Sequence, residues 1–169
     1  MKLSDLGSSA NDLLDSFAEQ LALIPGFTLE GNRYVAAGEV PWDKPGLYLY
    51  VGAGNTGQPG APQGQNIGSA QGLVFAVSFF VMILRTVATF GYWNDGGVNP
   101  APDNILNANG TQAVRDAGAL LSCAAKIKKQ DLAVKSQSAG FVIGQVLPLG
   151  PQGGMAAMRL QLDVSIDEP

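Results

Sequence analysis

The sequence predicts an α+β fold, a mostly antiparallel β-sheet with two helices packed on one face. Three observations predict it. Residues 73–88, LVFAVSFFVMILRTVA, are the longest apolar run and are rich in Val, Ile and Phe, which suit a pleated surface. Residues 158–166, MRLQLDVSI, alternate apolar and polar side chains with the period of a half-buried strand. Residues 9–22 and 111–129 instead carry apolar residues at helical spacing. The order helix, strands, long strand, helix, hairpin is that of an α+β domain, not of repeating strand–helix units.

In residues 9–22, Leu13, Leu14, Phe17, Ala18 and Leu21 form the buried stripe. Ser9 followed by Asp12 reads as a start resembling a capping box, and Pro25-Gly26 as the stop. Residues 26–37 carry weak strand signals. Phe27, Leu29, Tyr34 and Val35 are expected in a small hairpin turned at Gly31-Asn32. A Pro-bracketed connection follows, with Trp42 packed over the sheet edge. Residues 46–51 form a short strand, with Leu47, Leu49 and Val51 on one face and Tyr48 and Tyr50 on the other. Residues 52–70 are a neutral Gly/Pro-rich loop of a length that is usually functional or disordered.

Residues 73–88 are read as a strand in preference to a buried helix or a membrane span. Their apolar core ends at Leu84, too short for the roughly 20 apolar residues of a spanning helix. Leu73, Phe75, Val77, Phe79, Val81 and Ile83 fall on one face; Val74, Ala76, Phe80, Met82 and Leu84 fall on the other. A strand apolar on both faces must be covered on both. A helix covers one; a second layer or a neighbouring subunit covers the other.

Residues 91–109 form a second long connection, with turn signals at 94–97. The helix at 111–129 is expected to start at Thr111, with a stripe of Val114, Ala117, Leu121 and Ala124 and with Leu120 and Ile127 beside it. Lys126, Lys128 and Lys129 suit its C-terminal dipole. Residues 139–166 close the chain as a hairpin. Leu160, Leu162, Val164 and Ile166 face in, Arg159, Gln161, Asp163 and Ser165 face out, and 149–157 form a projecting tip. The reading is one domain over 1–169, with long loops at 52–70 and 91–109 and no internal repeat.

The chain has 169 residues, 46% hydrophobic but only 14% charged, against about 25% charged in ordinary domains. So little charge implies surface covered by other copies or partners, or long neutral loops. The net charge of -4 argues against a DNA-gripping face. There is no histidine, which removes the commonest general base and transition-metal ligand. Cys123 is the only cysteine, expected as a small buried hydrophobe. The first residues show no signal-peptide pattern, and a reducing cytoplasm is expected.

Gly52 to Gly57 match G-x-G-x-x-G, but Gln58-Pro59-Gly60 follow where a nucleotide-binding helix would have to open, so the match reads as loop. Asn94-Asp95-Gly96 lacks the remaining ligands of a calcium loop. Asn109-Gly110-Thr111 reads as a helix start. Asp103 and Asp116 stand as carboxylates without a visible partner, with Arg115 on a different helix face from Asp116. Lys126 to Lys129 read as a solvated helix end. No cofactor, no metal and no enzyme activity are expected.

The chain runs from an N-terminal helix through LYLYV (47–51), a Gly/Pro-rich loop, LVFAVSFFVMILRTV (73–87), a Pro-containing linker and the helix QAVRDAGALLSCAAKI (112–127) to the closing FVIGQVLPLGPQGGMAAMRLQLDVSI (141–166). Two pieces carry a resemblance: the apolar strand ending in Ile83-Leu84-Arg85 with the Pro-rich linker and Asp-containing helix (114–121) that follow it, and the terminal hairpin GPQGGMAAMRLQLDVSI (150–166), where a glycine-rich turn leads into the last strand. In this order the chain resembles the tail terminator, or tail-completion, proteins of long-tailed bacteriophages that infect actinobacteria. The resemblance implies a structural virion protein without catalytic residues, assembled in the host cytoplasm. Its expected partners are itself as a homohexameric ring, the tail tube protein and the head-completion or neck protein. Genomic DNA passes through the lumen without specific binding, and no membrane is involved. Such a ring uses two different patches per subunit. Candidate interface residues are Gly54, Gln58 and Gln63 in the first loop, Trp93 and Asp95 in the second, and Pro151, Gln152, Met155 and Arg159 at the hairpin. The alternatives are another neck component, such as a head-closure or connector protein, and a small-ligand binding module.

Overall fold

A computed structural model describes residues 6–36, 38, 40, 42–56, 75–87, 91–92, 98–99, 102–130, 141–152 and 154–166. The chain runs α1 (Leu6–Ala22), β1 (Asn32–Ala36), β2 (Gly46–Thr56), β3 (Phe75–Thr86), β4 (Gly91–Tyr92), β5 (Val98–Asn99), α2 (Asp103–Gln130), β6 (Phe141–Gln152) and β7 (Met155–Ile166). Five strands form one sheet in the order β1-β2-β3-β7-β6, and β4 and β5 pair separately. Only β1 and β2 run parallel; the other neighbours in the sheet are antiparallel. The fold is α+β with a mixed, mostly antiparallel sheet.

The apolar run is the central strand. β3 pairs with β2 on one side and along its whole length with β7 on the other. Alternate side chains of a strand point to opposite faces. Val77, Phe79, Val81 and Ile83 accordingly join one cluster, with Leu47 and Leu49 of β2, Leu160, Leu162 and Val164 of β7, and the buried residues of both helices. Met82 and Leu84 join a second cluster with Val40, Tyr48, Met155 and Ala157. Trp42, Tyr34 and Leu149 pack against that cluster, so the chain itself covers part of the second face. Complete burial of a Leu or Phe stabilises by about 1.5–3 kcal/mol. Phe17, Phe79, Leu120 and Leu162 are among the large side chains buried to that degree.

Several expectations are corrected. Residues 26–37 do not form a hairpin: β1 is a single edge strand, parallel to β2. Gly31 turns the chain into it with φ 71°, and a Cβ there would stand 2.0 Å from the carbonyl oxygen of Pro45. β2 does not end at Val51 but continues to Thr56 past a register shift between Val51 and Gly54. Gly52 and Gly54 therefore belong to a strand, not to a loop. At Gly52 the Phe80 ring lies where a Cβ would go, 2.3 Å away.

Both helices begin earlier than expected. α1 starts at Leu6, which puts Ser9 inside it rather than at its cap. α2 starts at Asp103, where the Pro102 carbonyl accepts from the amides of Ile105 and Leu106. Thr111 is an interior residue that donates its Oγ1 hydrogen to the Asn107 carbonyl. The stripe of α2 is also rotated. Ala119, Leu120, Cys123, Ala124 and Ile127 are buried, while Val114 is 73% and Leu121 43% exposed. The hairpin tip is tighter than expected, because the strands run to Gln152 and restart at Met155, with Gly154 at φ 81°.

Candidate functional site

The candidate interface residues that are described lie on β2, β6 and β7. Gly54 lies in β2, opposite Val77. Gln58, Gln63, Trp93 and Asp95 lie outside the described residues, as does the turn expected at 94–97. Pro151 and Gln152 are exposed at the end of β6. Met155, across the turn, is buried in the second cluster at 5% exposure. Arg159 lies further along β7. Its guanidinium sits 4.8 Å from the centre of the Phe80 ring and its Nη1 donates to the Tyr50 hydroxyl at 3.3 Å. Tyr50 and Phe80 stack on each other, as do Tyr34 and Tyr48. Arginine stacked on an aromatic face is held flat against the sheet.

Asp163, expected to face solvent, is buried. It accepts from Ser78 Oγ at 2.6 Å and from Gln161 Nε2 at 2.9 Å. Ser78 and Asp163 are direct partners in the register of β3 and β7, which accounts for a polar pair in an apolar strand.

The main polar feature was missed in the sequence. Arg85 ends the apolar part of β3 and is buried, and its Nε and Nη2 donate to both carboxylate oxygens of Asp116 at 2.5 and 2.8 Å. Asp116 also accepts from Gln112 Nε2 at 2.9 Å. Glu30 approaches Arg85 Nη1 at 3.7 Å and takes the Thr86 amide at 3.2 Å. The Phe27 ring lies 5.2 Å from the guanidinium carbon. Asp116 is thus not a lone carboxylate but the anchor that ties α2 to the end of β3. An arginine inside an apolar strand is almost never buried without a carboxylate. That rule was the available signal, and it points to the acidic residue of the neighbouring helix.

The pair borders a cavity of about 290 Å³ that also touches Asn109, Ala113 and Met158. A larger groove of about 520 Å³ runs between the chain after α1 and the side of α2, with Arg115 and Lys126 on its rim. Cys123 is buried, and burial pushes its thiol up to about 11, with Lys126 acting weakly the other way. Burial also raises Tyr48, helped by Tyr34 and Asp43, and its hydroxyl donates to the Lys44 carbonyl at 2.8 Å. Among the described residues no group of three His, Cys, Asp or Glu could hold a metal, and every buried side-chain polar atom has a partner. No described helix is long and apolar enough to cross a membrane.

What remains is surface. α2 exposes Leu106, Val114 and Leu121 between 43% and 73%, and Leu23 after α1 is 69% exposed. Leu106, Val114 and Leu121 lie within about 80° of one another around the helix, at 100° per residue. The sequence matches no protein-family model, and no curated protein matches it.

Proposed function

We propose that this chain is a structural subunit of a phage tail. In this reading it forms a ring at the head-proximal end of the tail tube, ends tube polymerisation and offers a joint to the neck proteins. The observation that carries the reading is the uncovered apolar side of α2 on a chain with only 14% charged residues. Among the described residues Val114 is 73% exposed, apolar surface on which a partner could pack. The polar side chains described above support the reading from the other direction. Their hydrogen bonds tie strands and helices to one another, Arg85 to Asp116 between β3 and α2 and Ser78 to Asp163 between β3 and β7. A ring also multiplies a weak contact by the number of subunits.

The test is electron microscopy of the purified protein, alone and mixed with tail tubes. Six-fold rings, or caps on one end of the tubes, support the reading. A particle that stays near 17.5 kDa at every concentration and ignores the tubes sinks it. One observation favours a second reading, a module that binds a small ligand: the groove of about 520 Å³ has the size of a ligand site. Sedimentation separates the two, because such a module remains a monomer.

A further inference from the structure

We infer that α2 pairs with α2 of a second copy, antiparallel and across a two-fold axis, through the side that carries Leu106, Val114 and Leu121. The contact is argued from the helix surface and stands apart from the ring reading.

One stripe runs almost the whole length of α2, with a member every three or four residues. It holds Asp103, Leu106, Gly110 and Val114 in the first half and Ala117, Leu121, Ala125 and Lys128 in the second. At 100° per residue all of them lie within about 100° of one another around the helix. Ala117 is half-buried and the rest are exposed. This is not the groove beside α1. Arg115 and Lys126, which line that groove, lie about 100° or more around the helix from Leu106, Val114 and Leu121.

The stripe is the complement of its own reverse. A second α2 laid on it end over end, with the axis passing between positions 115 and 116, sets every large side chain against a small one. Leu106 meets Ala125, Leu121 meets Gly110 and Val114 meets Ala117. At the ends Asp103 meets Lys128, so opposite charges close both ends of the contact. Each match occurs twice, once on either side of the axis. Small residues opposite large ones let the helices interlock at the usual spacing of about 8–10 Å. A parallel pair would set Leu against Leu, Asp103 against Asp103 and Lys128 against Lys128. Size and charge therefore select the same direction, and the surface they fit is this helix itself.

Gly110 supplies a separate reason. Glycine inside a helix is destabilising relative to alanine. No contact within the chain asks for one here, since a Cβ at 110 would meet nothing within 4 Å. In the pair that space receives Leu121 of the second copy. A two-fold contact uses one patch on both copies and closes at two, so a ring built from such pairs needs a further patch.

The experiment uses the full-length chain. Sedimentation equilibrium of the wild type should give twice 17.5 kDa. Val114→Glu sets two carboxylates close to the axis and should weaken the association at least about tenfold, because like charges brought together in a contact repel. Position 114 is exposed, and circular dichroism checks that the variant folds. The direction is read by cysteine cross-linking with an added oxidant. Gly110→Cys and Leu121→Cys chains should each stay unlinked alone, since either position lies roughly 16 Å along the axis from its own counterpart. Mixed, the two chains should link to each other. Links within either variant alone, or none in the mixture, overturn the antiparallel contact. A wild type that sediments as a single copy at every concentration overturns it too. A larger assembly that Val114→Glu leaves intact overturns the contact while the ring reading stands.

Discussion

Removing one member of the Arg85–Asp116 pair should cost far more than removing both. Arg85 and Asp116 side chains are 8% and 4% exposed and share two hydrogen bonds. Deleting one partner of such a pair costs about 3–5 kcal/mol, because the other charge is stranded away from water. The two deletions are not equivalent here. Asp116→Asn leaves Arg85 with Glu30 at 3.7 Å and the Phe27 ring, and so belongs near the lower end of that range. Arg85→Met leaves the Asp116 carboxylate with Gln112 as its remaining donor, and belongs near the upper end. In a domain of this size about 3–5 kcal/mol lowers Tm by roughly 6–20 °C.

The double variant Arg85→Met with Asp116→Leu fills the same space with apolar side chains and leaves no charge to desolvate. Replacements of this kind are often neutral, or stabilise by about 1–4 kcal/mol. Urea unfolding followed by far-ultraviolet circular dichroism measures all three variants on one scale. The double variant should recover most of the loss of the worse single variant. Should the double variant lose the sum of the two single losses, or Arg85→Met cost under about 1 kcal/mol, the pair does not hold α2 to β3 as argued.

Leu120→Ala should cost about 2–5 kcal/mol as a cavity in the core, while its neighbour Leu121→Ala, 43% exposed, should stay within about 1 kcal/mol by the same urea assay. Equal costs would put the rotation of α2 in doubt. Gly31→Ala should destabilise by at least about 1 kcal/mol, since it meets both the φ of 71° and the Pro45 carbonyl, whereas Gly7→Ala, with open space at its Cβ, should cost nothing. Cys123, with its thiol raised to about 11 from 9.0, should resist a thiol reagent at pH 8 until urea unfolds the chain. The same shift sets a pH dependence. The unfolded chain loses the thiol proton near 9 and the folded chain keeps it to about 11, so stability falls as pH rises through that window. A stability that rises from pH 9 to 11 in the wild type, relative to Cys123→Ala, would contradict the burial.

The parts of this fold that were legible in the sequence are those with a strong period. β3 and β7 were readable because one is apolar on both faces and the other alternates strictly, and their side chains divide between the two clusters accordingly. The starts of the helices were not readable. Residues 103–110, DNILNANG, contain three Asn and a Gly, residues that favour turns, yet here they continue into a helix supported at its far end by Ala119, Leu120 and Cys123. The rotation of α2 was misread for a related reason. Its Ala-rich sequence offers two overlapping apolar stripes, and only the sheet selects the one holding Leu120 and Ile127. The pairing of β1 with β2 depends on a contact between Gly31 and Pro45 that no local pattern announces. Arg85 was visible as an interruption, but its partner was separable from the other acids only once α2 had the right rotation.

That rotation also changes where unsatisfied surface is to be sought. An apolar central strand first suggests that a neighbouring subunit must cover its second face. Within this chain Val40, Trp42, Tyr48, Met155 and Leu149 already do so over Met82 and Leu84. Further along the same face Phe80 lies under the Arg159 guanidinium, and Ser78 is closed by Asp163. The sheet therefore has less need of a partner than its sequence implies. The misfit passes to α2, where Val114 and Leu121 sit outside the core that their spacing seemed to promise. An apolar residue that belongs to no core in this chain marks the side on which a partner is to be sought, and α2 rather than the centre of the sheet carries such residues.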